Sequence, residues 1–261
     1  MDLSWLDKNA IIDIIEIASQ LILQIYIGNN FFVENKTDES PLTIADKKSN
    51  EFICNSLKNI YPHIPIISEE NINDEYDKRK NYKFAWLIDP LDGTKEFIRK
   101  NGEFTVNIGL IYDGMPVAGF VTIPVKGLTY YALKNEGAWM REVGGSWVSL
   151  EDIRESFDKK RKVLRVIASR SHLSEETKEF VDKLGEVDML NVGSSIKMLW
   201  VAENRADIYP RLSPCMEWDT CAAHAILLEV GGSIKKYPDL VEELTYNKES
   251  LLNPFFVCKI D

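Results

Sequence analysis

The stretch FAWLIDPLDGTKEF (Phe84–Phe97) opens with an unbroken apolar run, FAWLI, that ends on a carboxylate at Asp89. Such a run predicts a buried strand. Pro90 fixes a backbone dihedral and Gly93 permits a tight turn. The segment can therefore aim two carboxylates, Asp89 and Asp92, at one point and expose the Leu91 carbonyl beside them. Hard divalent cations take all-oxygen sets of this kind. Taken alone, the same aspartates also serve as turn formers.

Working outward, TVNIGLIY (Thr105–Tyr112) and MPVAGFVTI (Met115–Ile123) flank Asp113-Gly114, a hairpin signal, and LTYYAL with GAWMRE gives another across Asn135-Glu136-Gly137. Upstream, Leu3, Leu6, Ala10, Ile14, Ala18, Leu21 and Ile25 recur at spacings of three and four, the face of a long amphipathic helix. Asp46–Tyr61 reads as a second helix. Pro62 and Pro65 bracket a short strand, IPIIS, that runs into Glu69-Glu70, and the polar segment Asn71–Tyr82 reads as a mobile loop. The charged stretch Ser149–Lys162 lacks strand alternation and marks a boundary between an N-terminal α+β domain (1–155) and a C-terminal domain (156–261). The second half alternates strands VLRVIA, VDMLNV and ADIYP with helices over Glu175–Leu184, Ser195–Glu203 and Glu217–Val230, then returns as NPFFVCKI. That alternation predicts an α/β unit.

The 261 residues suit one compact domain or two small ones sharing a core. With 31 Lys and Arg against 41 Asp and Glu, the formal charge is −10, which argues against a nucleic-acid polymer as partner. The four cysteines form no CxxC pair and only three histidines occur, so a zinc cluster is not expected. Scattered thiols suggest a reducing, cytoplasmic setting. The N-terminus is acidic where a signal peptide would be basic. The apolar run Ile11–Ile27 is interrupted by Asp13, Glu16, Ser19, Gln20 and Gln24, so no membrane span is expected.

Two further acidic sites also fall at element ends. Ser68-Glu69-Glu70 closes a short apolar strand, and Glu217-Trp218-Asp219 opens a helix, where N-capping is the plain alternative for Asp219. If Glu69, Asp89, Asp92 and Asp219 converge, four negative charges repel and raise one another's pKa, and two Mg²⁺ ions would balance them.

Asp89–Thr94, Glu69-Glu70 and Glu217–Ala225 together resemble the signature of the inositol monophosphatase superfamily. SPLTIAD (Ser40–Asp46), DPLDGTKEF (Asp89–Phe97), VGSSIK (Val192–Lys197), IYPR (Ile208–Arg211) and SLLNP (Ser250–Pro254) are similar to its 3′(2′),5′-bisphosphate nucleotidases of CysQ type. The resemblance runs nearly the length of the chain. It implies an α/β, α+β layered fold, an α-β-α-β-α sandwich, and a Mg²⁺-dependent, lithium-sensitive phosphatase with two metals and a third left open. By the same resemblance, Glu69, Asp89 and the Leu91 carbonyl hold the first metal, and Asp89, Asp92 and Asp219 the second. Thr94 and Asp46 orient and deprotonate the attacking water; helix capping is the plain alternative for Asp46.

Lys197, Tyr209 and Arg211, with Ser195 in support, are then expected to bind the second phosphate of a nucleotide bisphosphate, and Glu69, Leu91, Asp92, Gly93, Thr94 and Asp219 to line the same substrate site. Ser169–His172 would lie near the nucleotide. The implied reaction is hydrolysis of adenosine 3′,5′-bisphosphate to AMP, with 3′-phosphoadenylyl sulfate as a related substrate and sulfur metabolism as the setting. The chain would be a monomer in the cytoplasm, with peripheral association with the inner membrane left open. An inositol or sugar phosphatase using the same metals is the alternative, kept open by Glu217, since some relatives use an acid near that position to touch substrate hydroxyls.

Overall fold

The computed structural model describes residues 2–28, 33–35, 41–71, 74–157, 163–168 and 174–260. Along the chain come α1 (Lys8–Ile27), β1 (Val33–Asn35), β2 (Pro41–Thr43), α2 (Ile44–Ile60), β3 (Ile66–Ser68), α3 (Tyr76–Arg79), β4 (Phe84–Asp92) and α4 (Thr94–Ile98). Then follow β5 (Thr105–Tyr112), β6 (Met115–Ile123), β7 (Leu128–Leu133), β8 (Ala138–Glu142), β9 (Val148–Ser149) and α5 (Leu150–Glu155). The remainder is β10 (Leu164–Ala168), α6 (Glu175–Asp182), β11 (Val187–Asn191), α7 (Ile196–Ala202), β12 (Ile208–Arg211), α8 (Cys221–Leu228), β13 (Gly232–Lys236) and β14 (Phe256–Ile260).

Among the described residues, strands β3 to β9 form one sheet in sequence order, antiparallel except for the parallel β3–β4 pair. A second sheet has the order β11-β10-β12-β14-β13, parallel over its first three strands and antiparallel thereafter. Helices α1 and α2 pack on one face of the large sheet, and one apolar core fills that interface with Ile11, Ile15, Ile53, Leu57, Trp86 and Phe120. Helices α7 and α8 lie between the sheets in a second core that joins Leu87 and Val121 to Leu199, Ile226 and Phe256. From β10 the chain crosses through α6 to β11 on one side. It returns through α7 to β12 on the other. Right-handed crossovers in opposite directions put α6 and α7 on opposite faces of the small sheet. The layers are therefore α-β-α-β-α, as the resemblance implies.

Several boundaries differ from the sequence reading. Helix α1 starts at Lys8 because Asp7 caps it through the amides of Asn9 and Ala10; Leu3 and Leu6 are buried but precede it. By length and composition α1 is apolar enough to cross a membrane. It is instead packed against β6, and its Glu16 is gripped by Arg141 and Thr129. Helix α2 starts at Ile44, since Thr43 and Asp46 form a reciprocal capping box. Within Asn71–Tyr82, α3 forms and Arg79 is buried, bonded to Asn247 and to the carbonyls of Lys248 and Glu249, so the described part of this segment is anchored. Strand β4 continues past Asp89 through a bulge to Asp92. Residues 217–220 form a turn and α8 begins only at Cys221. Strand β13 is an addition to the sequence reading.

The central helix lies unusually close to the large sheet. Gly109 and Gly119 face each other on β5 and β6; a Cβ on Gly119 would meet the Ala222 carbonyl oxygen at 2.0 Å, and one on Gly109 the Cys221 sulfur at 2.6 Å. These glycines let the N-terminal end of α8, and the turn carrying Asp219 just before it, sit over the end of β4.

Candidate active site

Four acids from three separate stretches meet at the strand ends. Asp89 and Asp92 lie on either side of the β4 bulge, where two registers to β5 differ by one residue. Pro90 is tolerated there because the bulge asks for no amide donor. Asp89 Oδ1 accepts the Leu91 amide at 3.0 Å. Gly93, at φ 94°, turns the chain into α4, and a Cβ there would also press on the Glu103 carbonyl at 3.1 Å. Glu69 follows β3, fixed by its amide to the Ile88 carbonyl at 3.1 Å. Asp219 is held in the turn by the Met216 amide at 3.0 Å and the Cys215 thiol at 3.3 Å. It does not cap α8, whose N-cap is Thr220.

Glu69, Asp89, Leu91, Asp92, Gly93, Thr94 and Asp219 line one cavity of about 550 Å³. The charges respond as crowded carboxylates must. Burial, then Glu69, Asp92 and Asp219, push Asp89 well above the usual range. Burial and Asp219 raise Asp92 to about 7, opposed by Lys197. Burial and Glu69 raise Asp219 to about 6. Among the described residues no three side chains already close into a metal cage; the acids stand around a common space. Four convergent carboxylates and a main-chain carbonyl nonetheless fit a hard divalent cation.

Asp46 caps its helix and meets the cavity wall through Thr94. Its Oδ2 takes the Thr43 amide at 2.8 Å and hydroxyl at 2.5 Å, leaving Oδ1 to accept Thr94 Oγ1 at 3.3 Å. Burial raises its pKa to about 6, against the Thr43 bonds. Thr94 Oγ1 also lies 3.4 Å from the Leu91 carbonyl.

A second, smaller cavity of about 130 Å³ shares Asp92, Gly93, Lys95, Glu96, Arg211 and Asp219 with the first and adds Ser195, Lys197 and Tyr209. Lys197 is buried, with Nζ on the Ser194 carbonyl at 2.7 Å and over the Tyr209 ring; burial lowers its pKa to about 8, against the pull of Asp92. Burial raises the Tyr209 hydroxyl. Burial opposes the charge of Arg211, but Tyr209, Cys215 and Asp219 outweigh it and hold the guanidinium above its usual range. Arg211 Nη2 binds the Pro214 carbonyl at 2.7 Å, while its buried Nε has no partner. The Ser195 amide reaches Asp92 at 2.5 Å, and its hydroxyl meets Thr105 and Asn107, both at 2.8 Å.

Glu217 does not face either cavity. It is fully buried, paired with Lys248 Nζ at 2.6 Å and with the amides of Asn247 and Lys248. It therefore has no reach to a substrate hydroxyl, contrary to the allowance made from sequence. Asn253, within SLLNP, bonds the Met216 carbonyl at 2.9 Å and Thr220 at 3.1 Å, bracing the Asp219 turn. Ser40 and Ser169–His172 lie outside the described residues. A larger cavity of about 860 Å³, walled by Trp5, His63, Tyr82 and Phe84, contains none of the site acids.

A layered α-β-α-β-α sandwich with an acidic cavity at its strand ends, and beside it a smaller one that adds Lys197, is the architecture of a phosphatase. The chain belongs to the inositol monophosphatase family, whose sequence profile matches residues 7–253. It is 40% identical over 241 residues to the 3′(2′),5′-bisphosphate nucleotidase CysQ of Salmonella typhimurium, covering 92% of this chain and 94% of that one. The Escherichia coli K12 protein of the same name is 39% identical over 246 residues, covering 93% and 95%. Crystalline CysQ from Bacteroides thetaiotaomicron superposes with a TM-score of 0.81 at 40% identity, covering 96% of each chain.

Proposed function

We propose that this protein is a Mg²⁺-dependent phosphatase that removes the 3′-phosphate of adenosine 3′,5′-bisphosphate, yielding AMP and phosphate, with 3′-phosphoadenylyl sulfate as a related substrate. The observation that carries the reading is the shared wall of two cavities, one lined mainly by carboxylates and one that adds Lys197, with Asp92, Asp219 and Arg211 common to both. A substrate with one phosphate uses the first cavity only. A bisphosphate has a use for Lys197 and for the orphaned Nε of Arg211. The names of the CysQ relatives point the same way.

Glu69, Asp89 and the Leu91 carbonyl would hold one ion and Asp89, Asp92 and Asp219 another; a third is left open. Bound there, the ions lower the pKa of water and stabilise charge on the leaving oxygen. The chain's own residues do the rest. Thr94, donating to Asp46, keeps a lone pair for a water proton and fixes that water's orientation. Asp46, raised to about 6, is a base suited to near-neutral pH. Lys197, Arg211, Tyr209 and the Ser195 region orient the second phosphate, so that water attacks in line with no phosphoenzyme. Residues 1–155 supply most of the acids and 156–261 complete the site. In the same reading the protein works as a monomer in the cytoplasm, a reducing compartment that its four buried, unpaired thiols fit.

An inositol or sugar phosphatase is the competing reading, and the withdrawal of Glu217 from the cavity weakens it. The test is a paired assay with Mg²⁺. Adenosine 3′,5′-bisphosphate is expected to be the strongly preferred substrate over inositol 1-phosphate, and Lys197→Ala to remove that preference. Preference for inositol 1-phosphate, untouched by Lys197→Ala, overturns it.

A further inference from the structure

Helix α2 presents Asp46, Ser49 and Asn50 on one face, at spacings of three and four residues. Each bonds a different segment that leads into the acidic cavity. Asp46 meets Thr94; Ser49 Oγ donates to the Pro90 carbonyl at 2.8 Å; Asn50 Oδ1 accepts the Ser68 hydroxyl at 2.6 Å. All three side chains are buried. Only Asp46 falls within the SPLTIAD motif.

The two neutral contacts fall at mechanically sensitive points. The β4 bulge frees the peptides between Asp89 and Asp92 from the regular ladder. With the Pro90 carbonyl tied down to α2, the next carbonyl, that of Leu91, is left at the cavity wall beside Thr94. Ser68 is the last residue of β3, and Glu69 departs from it. We propose that Ser49 and Asn50 are positioning residues: Ser49 fixes the bulge that presents Asp89 and the Leu91 carbonyl, and Asn50 fixes Ser68 and hence the backbone that carries Glu69. This rests on the reading of Glu69, Asp89 and Leu91 as metal ligands. Outer hydrogen bonds of this kind orient ligands, and their loss costs about 10- to 100-fold in metal affinity or activity.

The experiment is calorimetric titration of the substrate-free protein with Mg²⁺, alongside steady-state kinetics and thermal melting. Ser49→Ala and Asn50→Ala are each expected to weaken Mg²⁺ binding about tenfold and to lower kcat, with KM for the nucleotide little changed. Ile53→Val, a trimmed packing contact on the same helix, serves as control: its melting temperature falls while Mg²⁺ affinity stays at the wild-type value. Ser49→Cys, nearly isosteric and a weaker donor, is expected to fall between Ser49→Ala and wild type, and decides the matter should the alanine variant not fold. Ser49 and Asn50 variants that melt lower yet bind Mg²⁺ like wild type overturn the proposal. Wild type that binds no Mg²⁺, or binds it equally after Asp89→Asn, overturns instead the metal reading beneath it.

Discussion

The two sides of the acidic cavity are held by different chemistry. Asp46, Glu69 and Asp89 stand on or beside α2, β3 and β4, and neutral groups steady their carboxylates and the backbone beside them: Thr43, Ser49, Asn50, Ser68 and the Leu91 amide. Asp219 stands on a turn outside any strand. The segment around it is secured by the buried Glu217–Lys248 pair, by Asn253, and at one remove by Arg79 on the 247–249 backbone. A carboxylate rooted at the end of a strand inherits the rigidity of its sheet, so hydroxyls and amides suffice to trim its direction. One on a loop needs stronger, charge-assisted bonds to reach comparable order. Such bonds are expensive to break one-sidedly, since the surviving partner stays buried and unpaired.

The comparison can be broken most severely at the acids. Asp92→Asn removes a ligand and a charge; turnover is expected to drop about a thousandfold or more in the Mg²⁺ assay. Melting in chelator should rise in the same variant, because repulsion with Asp89 and Asp219 is relieved. Next in size is Lys248→Met, which strands the fully buried Glu217. Denaturant unfolding should show a loss of about 3 kcal/mol, and adding Glu217→Gln should recover part of it.

A pH series sharpens the contrast. Asp46 and Asp219 are raised to about 6 and Asp92 to about 7, from the ordinary aspartate value of 3.8. In the folded state these groups hold protons that the unfolded chain has released. The stability they lend is complete below pH about 4 and fades as pH rises through 6 to 7. Metal-free protein is therefore expected to melt lower at pH 8 than at pH 5.5, and Asp92→Asn to flatten that slope. Mg²⁺ should reverse the slope by favouring the ionised forms. The smallest effect is expected at Thr43→Val, which removes a cap and a bond to Asp46, for about 1 kcal/mol. Because that bond lowers the Asp46 pKa, the acid limb of the kcat/KM profile should move to higher pH.

Much of this was legible without coordinates. Asp113-Gly114 and Asn135–Gly137 mark their hairpins through local turn chemistry, and the apolar FAWLI run announces a buried central strand. Glu69 and the Asp89–Asp92 pair lie at the ends of the apolar runs that precede them. What escaped depends on distant partners. Glu217 reads as a site acid until Lys248, thirty-one residues on, is seen to claim it. The start of α8 shifts to Cys221 because Asn253 and Leu251 hold residues 216–220 as a turn. Arg79 lies in a polar run with no local pattern, and its partners are some 168 residues away. Ser49 and Asn50 look like ordinary helix-surface residues, since nothing local reveals that a bulge and a strand end lie against them. Strand β13 opens with Gly-Ser and carries no clear alternation.

Where the first turn of the central helix crosses Gly109 and Gly119, no cushion of side chains separates it from the large sheet. Without such a compressible layer the helix has little room to slide or rock, and the two jaws of the cleft are braced at a set gap. A crystal of the loaded protein is therefore expected to match the empty one strand for strand.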